Sequence, residues 1–211
     1  MVVLCLKPGD FEMKTKGTAF MQTRSATLPL HLYALPSGPL KRVRWRQKGV
    51  GVLRIIFGLV WGIDAWFKWQ PDFQQNFVGY LTGVLNGQPP AIHTWITLWS
   101  QVVNTNPFLY AHLVALGETA LAIGLIFGIF SNVTNVVGLL LSLMIWSTAE
   151  GFGGPYAPGS TDIGTAIIYA IAFAGLFLTS AGLSLGLDHY LTPRLGRFAF
   201  LASGSIKGKH R

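Results

Sequence analysis

The chain has 211 residues, of which 51% are hydrophobic and only 11% charged, and it carries a formal net charge of +8. Soluble domains carry charge on roughly a quarter of their residues, so this composition excludes an ordinary water-solvated globule and points to lipid as the main solvent. The cations are segregated. Nine of the 16 Lys and Arg lie in residues 1–48 and five in residues 194–211, leaving only Arg54 and Lys68 within the apolar region. A nucleic-acid binder would interleave its cations with exposed aromatics on one folded face, so that class is excluded as well.

Residues 1–48 read as a basic cytoplasmic tail, poorly ordered until about Pro39, with no apolar run long enough for a span or a cleavable signal. Cys5 is the sole cysteine, which excludes intrachain disulfides and iron–sulfur clusters built by this chain alone. Four later stretches, 50–68, 108–130, 133–150 and 162–183, are long enough to cross a bilayer, which needs roughly 20 mostly apolar residues per helix. The first follows Lys41, Arg42, Arg44, Arg46 and Lys48, and the last precedes Arg194 and Arg197. Positive flanks stay inside. The expected fold is thus an all-α integral membrane protein: a four-helix transmembrane bundle in residues 49–186, both termini cytoplasmic, with residues 187–211 as a second basic tail.

In helix one, Arg54, Trp61 and Lys68 recur every seven residues and share a stripe, while Asp64 precedes Lys68 by four and can pair with it. Gly58 and Gly62 form a small-xxx-small pair of the kind that lets helices approach in lipid. Ionisable residues within a span are functional candidates by default, although Arg54 near the inner boundary can also snorkel and Asp64–Lys68 can be a structural pair. Between helices one and two, Phe73, Phe77, Tyr80, Leu81 and Val84, then Ile92, Trp95, Ile96 and Trp99, keep helical spacing around Pro89-Pro90. They predict two short amphipathic helices that roof the bundle on its outer face. His93 in this segment reads as a solvated residue rather than a metal ligand.

Helix two holds Glu118, the deepest carboxylate, on a face with Ala111, Ala115 and Ala122. Small residues mark the side turned to other helices, so Glu118 is expected to face the bundle and to take a proton, a cation or a partner Arg. A buried structural hydrogen bond is the plainer alternative. His112, on the same helix, is a lone histidine and does not supply the paired ligands of a membrane haem. Helix three carries Asn135, Gly138, Ser142 and Trp146 on one face and ends near Glu150. Helix four begins near Asp162 and carries Thr165, Tyr169 and Phe173. The link Glu150-Gly-Phe-Gly-Gly-Pro-Tyr-Ala-Pro-Gly-Ser-Thr-Asp162 combines glycines and prolines into a shaped turn bounded by two carboxylates; read plainly, it connects two helices, with Ser160 or Thr161 capping the second and Asp162 favoured by its dipole.

On the four-span topology Asp64, Lys68, His112, Glu118, Glu150 and Asp162 all fall in the outer half. A pocket rimmed by Glu118, Asp64, Glu150 and Asp162 as catalytic carboxylates, with Arg54 and Lys68 as cations and Trp61, Trp66, Trp146 and Tyr169 as walls, suits an amphipathic ring such as a quinone. Neither haem, iron–sulfur nor flavin motifs appear, and no metal site is expected.

From about Gly51 to Gly186 the chain resembles the DoxD/DoxX family of membrane proteins, and in particular the DoxD subunit of thiosulfate:quinone oxidoreductase. The resemblance rests on Leu53-Arg54-Ile-Ile-Phe-Gly58 and, more specifically, on Gly151-Phe-Gly-Gly-Pro-Tyr followed by Pro158-Gly-Ser-Thr-Asp162-Ile-Gly164. It implies a prokaryotic cell-membrane protein that couples oxidation of thiosulfate to tetrathionate with reduction of a diffusible quinone, beside a second, DoxA-like subunit. Two alternatives stand next to it. One is a non-catalytic accessory subunit of a respiratory or oxidase complex, with Gly58, Gly62, Gly124 and Gly128 as contact faces. The other is a small proton-coupled transporter with Glu118 as the proton site, against which stands the lack of inverted-repeat symmetry.

Overall fold

The computed structural model of the chain describes residues 38–158, 160, 162–183 and 185–203, apart from the side chains of residues 38–44 and 183. The expected N-terminal tail up to residue 37, Thr161 and the last eight residues lie outside the described residues. All regular structure among the described residues is helical. Eight α-helices follow in order: α1 Gly38–Lys68, α2 Pro71–Gln75, α3 Phe77–Thr82, α4 Pro90–Asn104, α5 Pro107–Phe127, α6 Ser131–Ser147, α7 Thr165–Leu178 and α8 Asp188–Leu195.

Local chemistry sets several of these limits. Asn106 accepts a hydrogen bond from the Leu109 amide at 3.1 Å, and Pro107 occupies the first turn, which together start α5. Gly128, at φ 62°, ends that helix in the left-handed conformation. Two other helices are capped from a distance. The Ser131 amide at the start of α6 donates to Asp188 at 2.9 Å, and the Ala166 amide at the start of α7 donates to both carboxylate oxygens of Glu150, at 3.1 and 3.0 Å. A carboxylate at a helix N-terminus satisfies orphan amides and complements the helix dipole.

The four longer apolar helices α1, α5, α6 and α7 share one core. Trp61, Leu121, Ala122, Leu125, Phe173 and Leu176 are its buried members, with Leu139, Leu141 and Ile145 of α6 packed against it. Burying a side chain the size of Phe173 contributes about 3 kcal/mol. Close approach is set by missing side chains: a Cβ on Gly58 would lie 2.9 Å from backbone and side-chain atoms of Leu125 and Ile126, and one on Gly138 would occupy the space of the Phe173 ring. Any other residue at either position would push the helices apart. Gly58, Gly62, Gly124 and Gly128 all look onto Ala122, Leu125, Ile126, Thr134 or Arg54 of this same chain. The expectation that they form a contact face for another protein is therefore corrected, because the chain's own packing uses them.

A second, smaller cluster of Phe73, Phe77, Leu81, Val103 and Ala111 joins α2, α3 and α4 to the first turns of α5. Three helices thus fill the segment where two were expected, because α2 and α3 divide at Asn76. The segment Trp45–Lys68 of α1 and the whole of α5 are long and apolar enough to cross a membrane. α6 and α7 are apolar but shorter, at 17 and 14 residues. α7 falls short of the expected 162–183 at both ends.

At its N-terminal side α1 runs back through the basic stretch to Gly38, so the break expected near residue 48 is absent. Nor does the bundle give way to a simple tail after residue 186. Asp188 is fully buried and accepts from the amides of Ser131 and Ser203, both at 2.9 Å. The side-chain Nδ2 of Asn132 donates to the carbonyls of Phe200 and Ala202. These bonds fold residues 187–203 back onto the start of α6.

Candidate functional site

A cavity of about 790 Å³ lies between the C-terminal half of α1, the middle of α5, the ends of α6 and α7 that meet at residues 147–165, and the covering helices α2 to α4. Its polar members begin with Glu118, which α5 presents inward on the same face as Ala111, Ala115 and Ala122, all buried. Glu118 is fully buried, and the Lys68 ammonium sits 3.4 Å from its Oε2. That separation makes an ion pair without hydrogen-bond geometry, and neither carboxylate oxygen has a hydrogen-bond donor among the described residues.

Lys68 also donates to Asp64 Oδ1 at 3.0 Å, so one ammonium bridges two carboxylates. The three side chains grade from the interior outward: Glu118 is 0% exposed, Lys68 18% and Asp64 38%. Lys68 is fixed further by the Phe73 ring, 5.4 Å from its nitrogen, while its carbonyl accepts from Gln74 at 2.7 Å. A row of ionisable groups that connects a fully buried carboxylate to a partly exposed one is suited to passing protons into the cavity.

The walls are largely aromatic. Trp61 and Tyr169 form the floor with ring centroids 5.8 Å apart, and Phe73, Phe77, Tyr80 and Trp99 cover the opposite side. Ser142 contributes a buried hydroxyl from α6 and Tyr110 a phenol from α5. An apolar chamber of this size with a few convergent polar groups fits a flat ring that carries hydrogen-bond acceptors.

Of the residues singled out in the sequence, Trp61, Asp64, Lys68, Glu118, Glu150 and Tyr169 line this cavity. Glu150 is engaged there as the cap of α7, which leaves its carboxylate less free for chemistry than that of Glu118. Arg54, Trp146 and Asp162 are not among the lining residues. The guanidinium of Arg54 is buried at the other end of the helices, where it donates to the carbonyls of Ala181 at 3.1 Å and Leu185 at 2.9 Å. It is therefore corrected from a ligand-binding cation to a structural clamp, since fourteen residues of α1 put it about 21 Å along the axis from Lys68. Trp146 donates to the Ile163 carbonyl at 2.7 Å and packs on Phe152 at 5.1 Å, which holds the 150–164 link in shape. Asp162 is exposed and accepts from the Gly164 amide at 2.8 Å, a local turn that keeps its carboxylate out of the cavity.

His112 hydrogen-bonds the Phe108 carbonyl of its own helix and stacks edge-on with Trp69, outside the cavity lining. Trp66 is 66% exposed and points away. The lining residues that the sequence left unassigned are mainly Phe73, Phe77, Tyr80, Trp99 and Tyr110. The first four had a helical spacing that signalled a roof, and the roof proves to be a wall of the cavity. No group of three His, Cys, Asp or Glu arranged to hold a metal occurs among the described residues. Comparison with protein-family models, curated proteins and solved structures finds no match to this chain.

Proposed function

We propose that the chain is a four-span membrane subunit of a quinone-linked oxidoreductase, in which the cavity receives the quinone ring and Asp64, Lys68 and Glu118 deliver the protons that its reduction consumes. The observation that carries this proposal is the fully buried Glu118, paired with Lys68 at 3.4 Å and graded outward to Asp64, at the edge of an aromatic-walled chamber.

Four spans are supported by the faces turned away from the core. Leu53, Ile56 and Ile63 of α1, Leu113, Leu116 and Ile123 of α5, Val137 and Leu140 of α6, and Ile168 and Ile171 of α7 are all exposed. Apolar bands on all four helices match an acyl-chain solvent better than water. α6 and α7, at about 26 and 21 Å, are short for a hydrocarbon core of about 30 Å, a mismatch that bilayer thinning accommodates. The Arg54 clamp supports a common side for both basic flanks, because it ties α1 to the turn that precedes Arg194 and Arg197. A shared positive side is what orientation in a membrane requires.

The likeness to the DoxD subunit supplies the electron donor. Two thiosulfate anions join through a new S–S bond into tetrathionate and release two electrons, and the quinone takes up those electrons with two protons to become the quinol. Within this chain Trp61 and Tyr169 hold the ring, Lys68 polarises a ring carbonyl, and Glu118 takes up a proton from the Asp64 side and passes it to the ring, once for each of the two protons. Thiosulfate oxidation itself is assigned to the complex with a second, DoxA-like subunit.

The test is thiosulfate-dependent quinone reduction by membranes that contain this chain, with and without co-purifying subunits. Activity lost in Glu118→Gln but retained in Asp162→Asn supports the proposal. Unchanged turnover in Glu118→Gln, or the absence of saturable quinone binding, overturns it in favour of an accessory subunit.

A further inference from the structure

The buried polar groups of the core fall into two sets with an apolar layer between them. Toward the cavity lie Glu118 and Ser142; toward the opposite end lie Asn135, Ser131, Asp188 and Arg54, all at most 2% exposed. Four aromatic rings occupy the level between the sets. Phe57 packs against Trp61, Tyr169 and Phe173 with centroids 6.3, 5.6 and 4.9 Å away, and Trp61 meets Phe173 at 5.4 Å. The Phe173 ring lies directly on Gly138, which stands between Asn135 and Ser142 on the polar face of α6. Leu121 and Leu125 continue the layer on α5. Each helix repeats the same order: Lys68, Trp61, Phe57, Arg54 on α1; Glu118, Leu121, Leu125, Gly128 on α5; Ser142, Gly138, Asn135, Ser131 on α6; Tyr169, Phe173, Leu176 on α7.

We propose that this four-ring layer is a proton seal, so that Glu118 exchanges protons only through the Asp64 side and never with the end that carries Arg54 and Asp188. The inference rests on the membrane-spanning part of the proposed function and adds a direction to it: protons consumed in the cavity enter from the side away from the basic flanks. The groups facing Glu118 are Lys68 and Asp64 of α1, Asp72 of α2, Glu150 at the end of α6 and Tyr169 of α7. Tyr169 belongs to the ring layer itself and turns its edge to the cavity, and the other four lie on the cavity side of the rings. An apolar constriction stops proton and ion passage by excluding water, and removing its central ring restores a wet path.

Purified full-length chain in phosphatidylcholine–phosphatidylglycerol vesicles loaded with a pH-sensitive dye, under a potassium diffusion potential, reads this directly. Vesicles with the unaltered chain are expected to be as proton-tight as empty ones. Phe173→Ala is expected to raise flux by roughly tenfold or more, and adding Glu118→Gln to abolish the increase. Phe173→Leu, which keeps much of the volume and is gentler on folding, is expected to show the same Glu118-dependent leak at smaller amplitude. Proton conduction by the unaltered chain, tight vesicles with either folded variant, or a leak indifferent to Glu118 would each overturn the seal. No quinone enters this assay, so failure of quinone binding, measured separately, is distinguishable from failure of the seal. Release of the chain from membranes by alkaline carbonate sinks the spanning reading on which both rest.

Discussion

Replacing Lys68 by Met is the sharpest perturbation of the cavity, because it removes the one cation shared by Glu118 and Asp64. At an effective dielectric constant of about 20, unit charges 3.4 Å apart attract by about 5 kcal/mol. Desolvation offsets part of that, and removing one partner of a buried pair typically costs about 3–5 kcal/mol. Lys68 retains 18% exposure, so water relaxes around the remaining charge, and we expect about 3 kcal/mol. Asp64, more than a third exposed, adds little. The double variant Lys68→Met/Glu118→Gln leaves no buried charge and is expected to recover about 2 kcal/mol of that loss. Unfolding in mixed detergent micelles, followed through the seven tryptophans, gives both values. A loss below about 1 kcal/mol for Lys68→Met, or strict additivity in the double variant, would refute a coupled buried pair.

Gly58→Ala is expected to destabilise by about 2 kcal/mol, since its methyl meets the backbone of Ile126 at 2.9 Å, while Gly62→Ala, at 3.8 Å from Ala122, is expected to be nearly neutral; the same detergent titration compares them. Glu150→Ala is expected to cost about 1 kcal/mol through the lost cap of α7, with Glu150→Gln milder, and quinone reduction per folded molecule is expected to hold in both. Arg54→Ala leaves the carbonyls of Ala181 and Leu185 without their donor and is expected to cost about 2–3 kcal/mol. Arg54→Lys is expected to rescue it poorly, because one ammonium does not reproduce a fork spanning the carbonyls of Ala181 and Leu185. Quinone affinity should stay unchanged in both Arg54 variants, as measured by equilibrium binding.

Helix existence was legible because each long helix carries a dense apolar run, and the inward face of α5 because Ala111, Ala115 and Ala122 flank Glu118 at helical spacing. The Asp64–Lys68 pair followed from its four-residue separation. Depth was not legible in the same way. Arg54, Trp61 and Lys68 share a stripe, but a stripe fixes direction around the axis and not height along it, so Arg54 went to a cavity that it does not reach. The folded segment after residue 186 was hidden for a different reason. Its anchors are long-range bonds from Asp188 to the amides of Ser131 and Ser203, and these leave no periodic trace in the sequence. Asp162 and Glu150 bound one link and looked equivalent, yet only Glu150 turns inward, as a cap whose partner amide lies 16 residues away.

A photoreactive azidoquinone bound to membranes that hold this chain tests whether the cavity receives the quinone ring. Mapping of the cross-linked peptides is expected to find label on the cavity residues Trp61, Phe73, Tyr110 or Tyr169, competed by unlabelled quinone. Label confined to outward side chains such as Ile63, Leu116 or Ile171, or label indifferent to competitor, would contradict it.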